Sequence, residues 1–263
     1  KRQYLFRTGF SSINLPSEFW MSSSANHRPQ RAINLSANYR KPLLRGAFQL
    51  TVGVYHKRLF HQFEYVTTPF EVIFNPQDNL TQALIEGNGR NYGLHLMLEK
   101  RTGRLTGWMS YAWGRAQRRY PGSPLLGNYP ANHERVHEFN AVASLQLSTR
   151  WRLGATLVWA SGTPFTAPEN FYLLDGNLVS QFGRHNGARL GTYTRLDLSA
   201  NYLLYSRNGR EHGLNISVYN ANLRRNDLFW RIRIDGDGYS YRPMSLLPRR
   251  LPFMPSVSYF FKF

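Results

Sequence analysis

Two acid–histidine pairs come closest to catalytic chemistry in this sequence, His133-Glu134 and His137-Glu138. A histidine beside a carboxylate can relay a proton or share a metal ion when both side chains converge. In an extended strand, adjacent side chains point to opposite faces, so neither pair would converge. A hydrogen-bonded rim position is the expectation for both. Asp235-Gly236-Asp237-Gly238 has the alternating acids of a calcium loop but lacks the later ligands and the bidentate glutamate. A loop tip is expected there. Gly87-Asn88-Gly89 precedes a strand and does not join a strand to a helix, so it fails the context of a nucleotide-binding turn. No H-E-x-x-H helix, phosphate-binding loop or G-x-S-x-G elbow is present. The absence of cysteine excludes thiolate metal sites, thiol catalysis and disulfides. No metal site and no cofactor is expected.

The elements that would hold these residues are read from periodicity, and period two dominates. Ile33, Leu35, Ala37 and Tyr39 alternate with Asn34, Ser36 and Asn38. The same pattern recurs at Phe48 to Tyr55, Tyr92 to Glu99, Phe139 to Leu147, Trp151 to Trp159, Arg195 to Tyr202, Leu214 to Tyr219 and Ser256 to Phe263. Leu105 to Arg118 also reads as a strand. No long stretch has a 3.6-residue period. The inventory is therefore strands with one apolar and one polar face. A soluble sandwich and a membrane barrel both fit that description.

Three features separate the two. Short links (Lys41 to Arg45, Arg101 to Gly103, Ser148 to Arg150, Tyr205 to Glu211) alternate with long ones (Gly9 to Gln30, Val66 to Asn88, Arg119 to Glu134, Thr163 to Gly191, Arg231 to Leu247). An up-and-down membrane barrel has this rhythm of short turns and long loops. Several strands run about ten residues or more, the length of a tilted crossing. Tyr39, Trp113, Trp151, Trp159 and Tyr202 fall near the ends of apolar faces, as interface girdles do.

Composition agrees once the barrel is in view. The chain has 263 residues, 42% of them hydrophobic and 15% aromatic, with mean hydropathy −0.47. No stretch could form a membrane-spanning helix. The formal charge of +18 raises nucleic acid as a partner. The basic residues are scattered in short clusters such as Lys100 to Arg104 and Arg207 to Arg210, and no nucleic-acid-binding motif is present, so nucleic acid is not expected. Lys1 to Phe10 has no apolar core of a signal peptide, so a mature chain or a piece of a longer one is expected.

Specific motifs then carry a resemblance. They are Leu15-Pro16-Ser17-Glu18-Phe19-Trp20 with Pro29-Gln30-Arg31-Ala32, Gly87-Asn88-Gly89-Arg90-Asn91-Tyr92-Gly93, and Gly103 to Tyr111. Tyr129-Pro130 through His133-Glu134-Arg135-Val136-His137 follows, with Glu134 where aspartate is usual. Ser161-Gly162-Thr163-Pro164-Phe165, Tyr193 to Ser199, Ser217-Val218-Tyr219-Asn220 and Pro255 to Phe263 complete the series. In this order they resemble the C-terminal part of a TonB-dependent outer-membrane receptor.

That resemblance implies an all-β, antiparallel up-and-down transmembrane barrel, with residues 1–263 forming about ten C-terminal strands of a 22-stranded whole. The plug domain, the TonB box and the N-terminal strands are absent from the sequence. It implies a bacterial outer-membrane location and a role in TonB-dependent nutrient uptake, without transport by this part alone. Implied partners are outer-membrane lipid, the missing strands and plug, TonB acting through the plug, the barrel-assembly machinery and a surface lipoprotein. Trp20, Tyr120, Phe171, Tyr172, Trp230 and Tyr241 are aromatic and loop-borne, hence candidate ligand contacts. Val257, Tyr259, Phe261 and Phe263 form the C-terminal assembly signal. The alternative is a complete small outer-membrane barrel with hydrolase activity at its rim, drawn from His133, Asp175, Asp235 and Asp237.

Overall fold

A computed structural model describes residues 2–3, 5–9, 18–24, 27–65, 84–123, 127–174, 177–207, 210–227, 231–236, 241–246 and 253–262. Ten strands pair antiparallel in chain order into one wall. They are β1 (Arg2–Gln3), β2 (Gln30–Leu43), β3 (Phe48–Tyr65), β4 (Leu84–Lys100), β5 (Leu105–Tyr120), β6 (His137–Gln146), β7 (Trp151–Ala160), β8 (Tyr193–Arg207), β9 (Arg210–Tyr219) and β10 (Met254–Lys262). The wall is open: among the described residues, β1 pairs with β2 alone and β10 with β9 alone. No helix occurs among them.

The links correct several expected boundaries. The first short link is Leu44 to Ala47, shifted from Lys41 to Arg45, because ladder pairing persists to Leu43–Phe48. The link expected at Val66 to Asn88 starts where expected, after Tyr65, but β4 already begins at Leu84, four residues before the expected end, since Tyr65 pairs with Leu84. The last long link begins at Asn220, not Arg231. Long links also carry their own two-stranded ribbons: Leu5–Gly9 with Glu18–Ser22, Pro168–Leu174 with Asn177–Phe182, and Arg231–Gly236 with Tyr241–Leu246.

Register fixes the two faces. One cross-strand row runs Tyr39, Val52, Leu96, Tyr111, Phe139, Trp159. Another runs Ala155, Leu198, Val218, Pro255. Leu35, Val54, Leu198, Ile216 and Val257 are exposed, with Leu35 at 68% and Val257 at 70%. Such a face is tolerable only against an apolar medium or partner. The opposite face carries a row of small residues across six strands: Thr106, Ser144, Gly154, Ser199, Ser217, Ser256.

Aromatic side chains mark both ends of the apolar face. Trp151 and Tyr202 are cross-strand partners with ring centroids 4.7 Å apart at the short-link end. Trp159 closes the other end of the same strand. Eight residues at about 3.3 Å each separate the two tryptophans by roughly 26 Å along β7. A strand tilt of about 40° brings that span to about 20 Å of height, comparable to a lipid-facing band.

Two glycines explain local close approaches. Gly107 has φ +150°, and a Cβ there would run into the Val142 carbonyl across the ladder. On the polar face Tyr55 lies across β4 and β5, and a Cβ on Gly114 would stand 2.7 Å from its hydroxyl. Aromatic bulk therefore lies flat against the wall there.

Candidate functional site

The long-link end of the wall is where most family motifs fall, and side chains there replace missing strand partners. β5 is flanked first by β6 and then, further up, by the short strand Gly127–Pro130. Between them, residues 131 to 136 leave the ladder. Glu134 fills the gap: its Oε2 accepts the Ala116 N–H at 2.7 Å, and its side chain is 1% exposed. Arg189 donates to Oε1, and Arg115 Nε stands 3.6 Å from Oε2. A buried carboxylate is tolerable only with such partners.

The same device recurs two strands on. β9 ends at Tyr219, and Asn220 turns the chain with φ 55°. Its N–H donates to Asp197 Oδ1 at 2.9 Å, and its Nδ2 donates to the Arg224 carbonyl. Asn226 then takes the place of a strand beside β8, accepting the Thr194 N–H at 2.9 Å and donating to the Thr194 carbonyl at 2.8 Å. Ser161 Oγ accepts the His137 N–H at 3.0 Å. Each side chain satisfies backbone groups that would otherwise be orphaned where a strand leaves the sheet.

The link between β7 and β8 folds back onto this rim. Thr166 Oγ1 accepts the Asn186 N–H, and Asn186 Nδ2 donates to the Pro130 carbonyl at 2.8 Å. Arg184 donates to the Asn128 carbonyl. His185 packs edge-on against Tyr129 at 4.3 Å between ring centroids, and burial lowers its pKa to about 4. Tyr129 stacks on Tyr120 at 5.7 Å, and its hydroxyl donates to Glu64 at 3.0 Å. Burial together with the Glu64 charge raises the Tyr129 pKa.

Beside this link lies a cleft of about 740 Å³ lined by Arg58, Arg90, Arg115, Arg118, Arg119, Arg184 and Arg189 with Asn88, Gln117 and Asn128, and by no acid. A shallower groove of about 410 Å³ follows the small-residue row past Ser144, Gly154, Ser199 and Ser217.

The aromatic candidates are dispersed over this end. Tyr120 is buried at 2% exposure, under Tyr129 and Ile85. Tyr172 is 47% exposed and Phe171 partly exposed, both in the ribbon Pro168–Leu174. The backbones of Trp20 and Tyr241 lie in the ribbons Glu18–Ser22 and Tyr241–Leu246. These positions were expected in loops; they sit in strands because the long links form ribbons. Trp230, Asp175, Asp237 and Phe263 lie outside the described residues. Val257, Tyr259 and Phe261 share the exposed apolar face of β10, at 70%, 59% and 48% exposure. His133 is exposed beside the buried Glu134, and Asp235 lies in Arg231–Gly236. The His133–Glu134 pair was expected in an extended strand, but it occupies the turn between ladders. Among the described residues, no group of three His, Asp or Glu could hold a metal ion.

A family profile described as "TonB dependent receptor-like, beta-barrel" matches residues 5–223. The chain belongs to the TonB-dependent receptor β-barrel family. No curated protein matches it in sequence. This receptor barrel resembles the ferric-catecholate import receptor Fiu of E. coli K12 in its closed form, with TM-score 0.54, 14% identity, and coverage of 98% of this chain and 32% of that one. The ferripyoverdine receptor of the Pseudomonas aeruginosa outer membrane gives TM-score 0.53 and 12% identity, over 89% of this chain and 28% of that one. The ferric citrate transporter FecA gives 0.53 and 15%, over 88% and 32%. The chain thus spans about a third of the length of these neighbours, and at such identities the likeness concerns fold alone. The sheet of this receptor barrel extends beyond the profile match, since β10 continues the wall from Met254 to Lys262.

Proposed function

We propose that residues 1–263 are the C-terminal wall of a TonB-dependent outer-membrane receptor for nutrient uptake. Its apolar face meets lipid, and its polar face meets the lumen and a plug. The observation that carries this reading is the register-enforced pair of faces, one exposed and apolar, the other a row of small polar residues that leaves interior room. The open edges at β1 and β10 need the N-terminal strands to close them, because an unpaired edge is costly in lipid. Those strands and the plug belong to the same or a separate chain. TonB acts through the plug, so this segment alone does not transport. The assembly machinery reads β10, and a surface lipoprotein is a further partner at the long links.

In this orientation the short links are periplasmic and the long ones extracellular. Trp20, Phe171, Tyr172, Trp230 and Tyr241 offer ligand contacts there, and Tyr120 positions the rim beneath them. The chain has no cysteine, so single cysteines report topology directly. In intact Gram-negative cells, Tyr172→Cys should react with a membrane-impermeant maleimide, and Ser148→Cys should react only after the outer membrane is opened. The reverse pattern, or recovery of the chain in the soluble fraction, would overturn the proposal.

A further inference from the structure

A histidine stands on the apolar face among the side chains of the expected assembly signal. His212 of β9 and Tyr259 of β10 are hydrogen-bonded through Nδ1 and the phenol oxygen at 2.9 Å. Aromatic rings surround the imidazole: Tyr205 at 5.1 Å, Phe261 at 5.9 Å and Tyr259 at 6.0 Å between centroids. Tyr205 reaches this face only through a bulge. Tyr202 pairs with Leu214 and Leu203 with Gly213, but the next pair is Tyr205 with His212, so Leu204 is the extra residue. Without it, alternation would turn Tyr205 to the polar face. Bulges re-aim side chains in this way.

The next residue of β9 acts on the polar face. Gly213 is buried and pairs with Phe260, and a Cβ there would stand 2.8 Å from the Phe260 ring. The ring lies in the space a side chain would fill. These contacts fall where β10 lacks other means of alignment. β8 and β9 are joined across Asn208-Gly209, with Arg207 opposite Arg210, and so short a link fixes register. β9 and β10 are joined by the long link from Asn220 to Phe253, which does not. Nor does the pattern of residues choose. β9 reads Leu214-Asn215-Ile216-Ser217-Val218, and β10 reads Pro255-Ser256-Val257-Ser258-Tyr259 against it. A one-residue slip would exchange the faces. A two-residue slip would keep them, bringing Ser217 to Ser258 or Asn215 to Ser256.

We infer that His212 and Gly213 are positioning residues that lock the register of the terminal strand. Tyr259 lies opposite Leu214 and reaches His212 on the diagonal, a separation that long side chains span. A two-residue slip displaces Tyr259 by roughly 6.6 Å along β9, more than the hydrogen bond can follow. It also sets the Phe260 ring opposite Glu211 or Asn215, which lack the room that Gly213 leaves open. Glu211 and Lys262 add an exposed pair at 3.9 Å, which selects little. The locked register fixes the height at which Val257, Tyr259 and Phe261 are displayed. It also fixes where the next strand pairs with the free edge of β10, and strand stagger and barrel closure are linked. The inference rests on the reading of β10 as the strand that the assembly machinery takes up and that closes the wall.

The chain has no cysteine, so pairs of cysteines on the polar face report register. Ser217→Cys with Ser256→Cys reads the native register of β10. Ser217→Cys with Ser258→Cys, and Asn215→Cys with Ser256→Cys, read the two slips. Ser199→Cys with Ser217→Cys reads β8 against β9. Outer membranes holding each form would be oxidised with diamide and the disulfides quantified by mass spectrometry. In the unaltered background the native pair should dominate. His212→Ala with Gly213→Ala should raise the slipped fraction relative to the native one, by about fivefold for the lost hydrogen bond alone. The β8–β9 pair should not change. His212→Asn, whose amide can stand where Nδ1 does, should restore part of the native ratio. Slipped pairs as abundant as the native pair in the unaltered background, or an unchanged ratio in the double variant, would overturn the inference. If the double variant fails to assemble, His212→Phe keeps a ring and removes the hydrogen bond, and an unchanged ratio there overturns it equally. Native cross-linking in a chain that never reaches the outer membrane would defeat the membrane reading and leave the lock in place.

Discussion

Glu134 accepts a main-chain hydrogen bond from Ala116 at 2.7 Å, eighteen residues back along the chain. The carboxylate stands in for a strand: the ladder beside β5 is broken between Gly127–Pro130 and β6, and this side chain closes the gap.

Replacing Glu134 by leucine should therefore strand a buried N–H and release Arg115 and Arg189. The expected loss is about 1–3 kcal/mol for the unsatisfied donor. It would be read as a lower temperature for conversion of the heat-modifiable band. Glu134→Gln keeps an acceptor for Ala116 and loses only the ion pairs, so it should fall between wild type and Glu134→Leu. Identical behaviour of the two variants would show that the hydrogen bond to Ala116 contributes nothing.

The contact between His185 and Tyr129 should be sensitive to acid. Burial holds the folded His185 pKa near 4, below its ordinary value of 6.5. The unfolded link binds a proton first as pH falls, so the stabilisation is fully present above about pH 6.5. It is progressively lost down to about pH 4. Amide protection factors in residues 183–187, each referred to the unfolded-chain exchange rate at the same pH, should fall over that window, and His185→Gln should abolish the dependence. A flat profile in the unaltered chain would contradict the buried placement.

Val257 and Ser256 are neighbours on opposite faces of β10. Val257→Arg puts a charge on the apolar face and should cost about 2–4 kcal/mol if it lies near the bilayer midplane, less near an interface. Ser256→Arg should assemble at close to normal yield. Urea resistance of membrane-integrated protein would measure both, and equal tolerance of the two would refute the assignment of faces.

Gly107→Ala combines an unfavourable positive φ with a clash against the Val142 carbonyl. Gly114→Ala meets only the movable end of Tyr55. The first should lower the conversion temperature clearly, and the second slightly. Circular dichroism melts in detergent would rank them, and a larger effect at Gly114 would show that Tyr55 is fixed.

The sequence alone determined the strands, their faces and the alternation of short and long links. Period-two patterning is local, since each residue's face follows from its neighbours two positions away. The Ser217-Val218-Tyr219-Asn220 and His133-Glu134 motifs were visible too, but their roles were not. A carboxylate that replaces a strand for Ala116, or an amide that does so for Thr194, depends on two chain segments far apart in sequence. The long links posed a related difficulty: their ribbons carry Phe171, Tyr172 and Tyr241 in strands too short, and without the regular alternation, to announce themselves by periodicity. The arginines show the difference most plainly. In sequence they are scattered, and a charge of +18 identifies no partner. Only cross-strand register puts Arg58 opposite Arg90 and both past the margin of one apolar face, because a ladder aligns residues by hydrogen bonding between strands and not by their order in the chain.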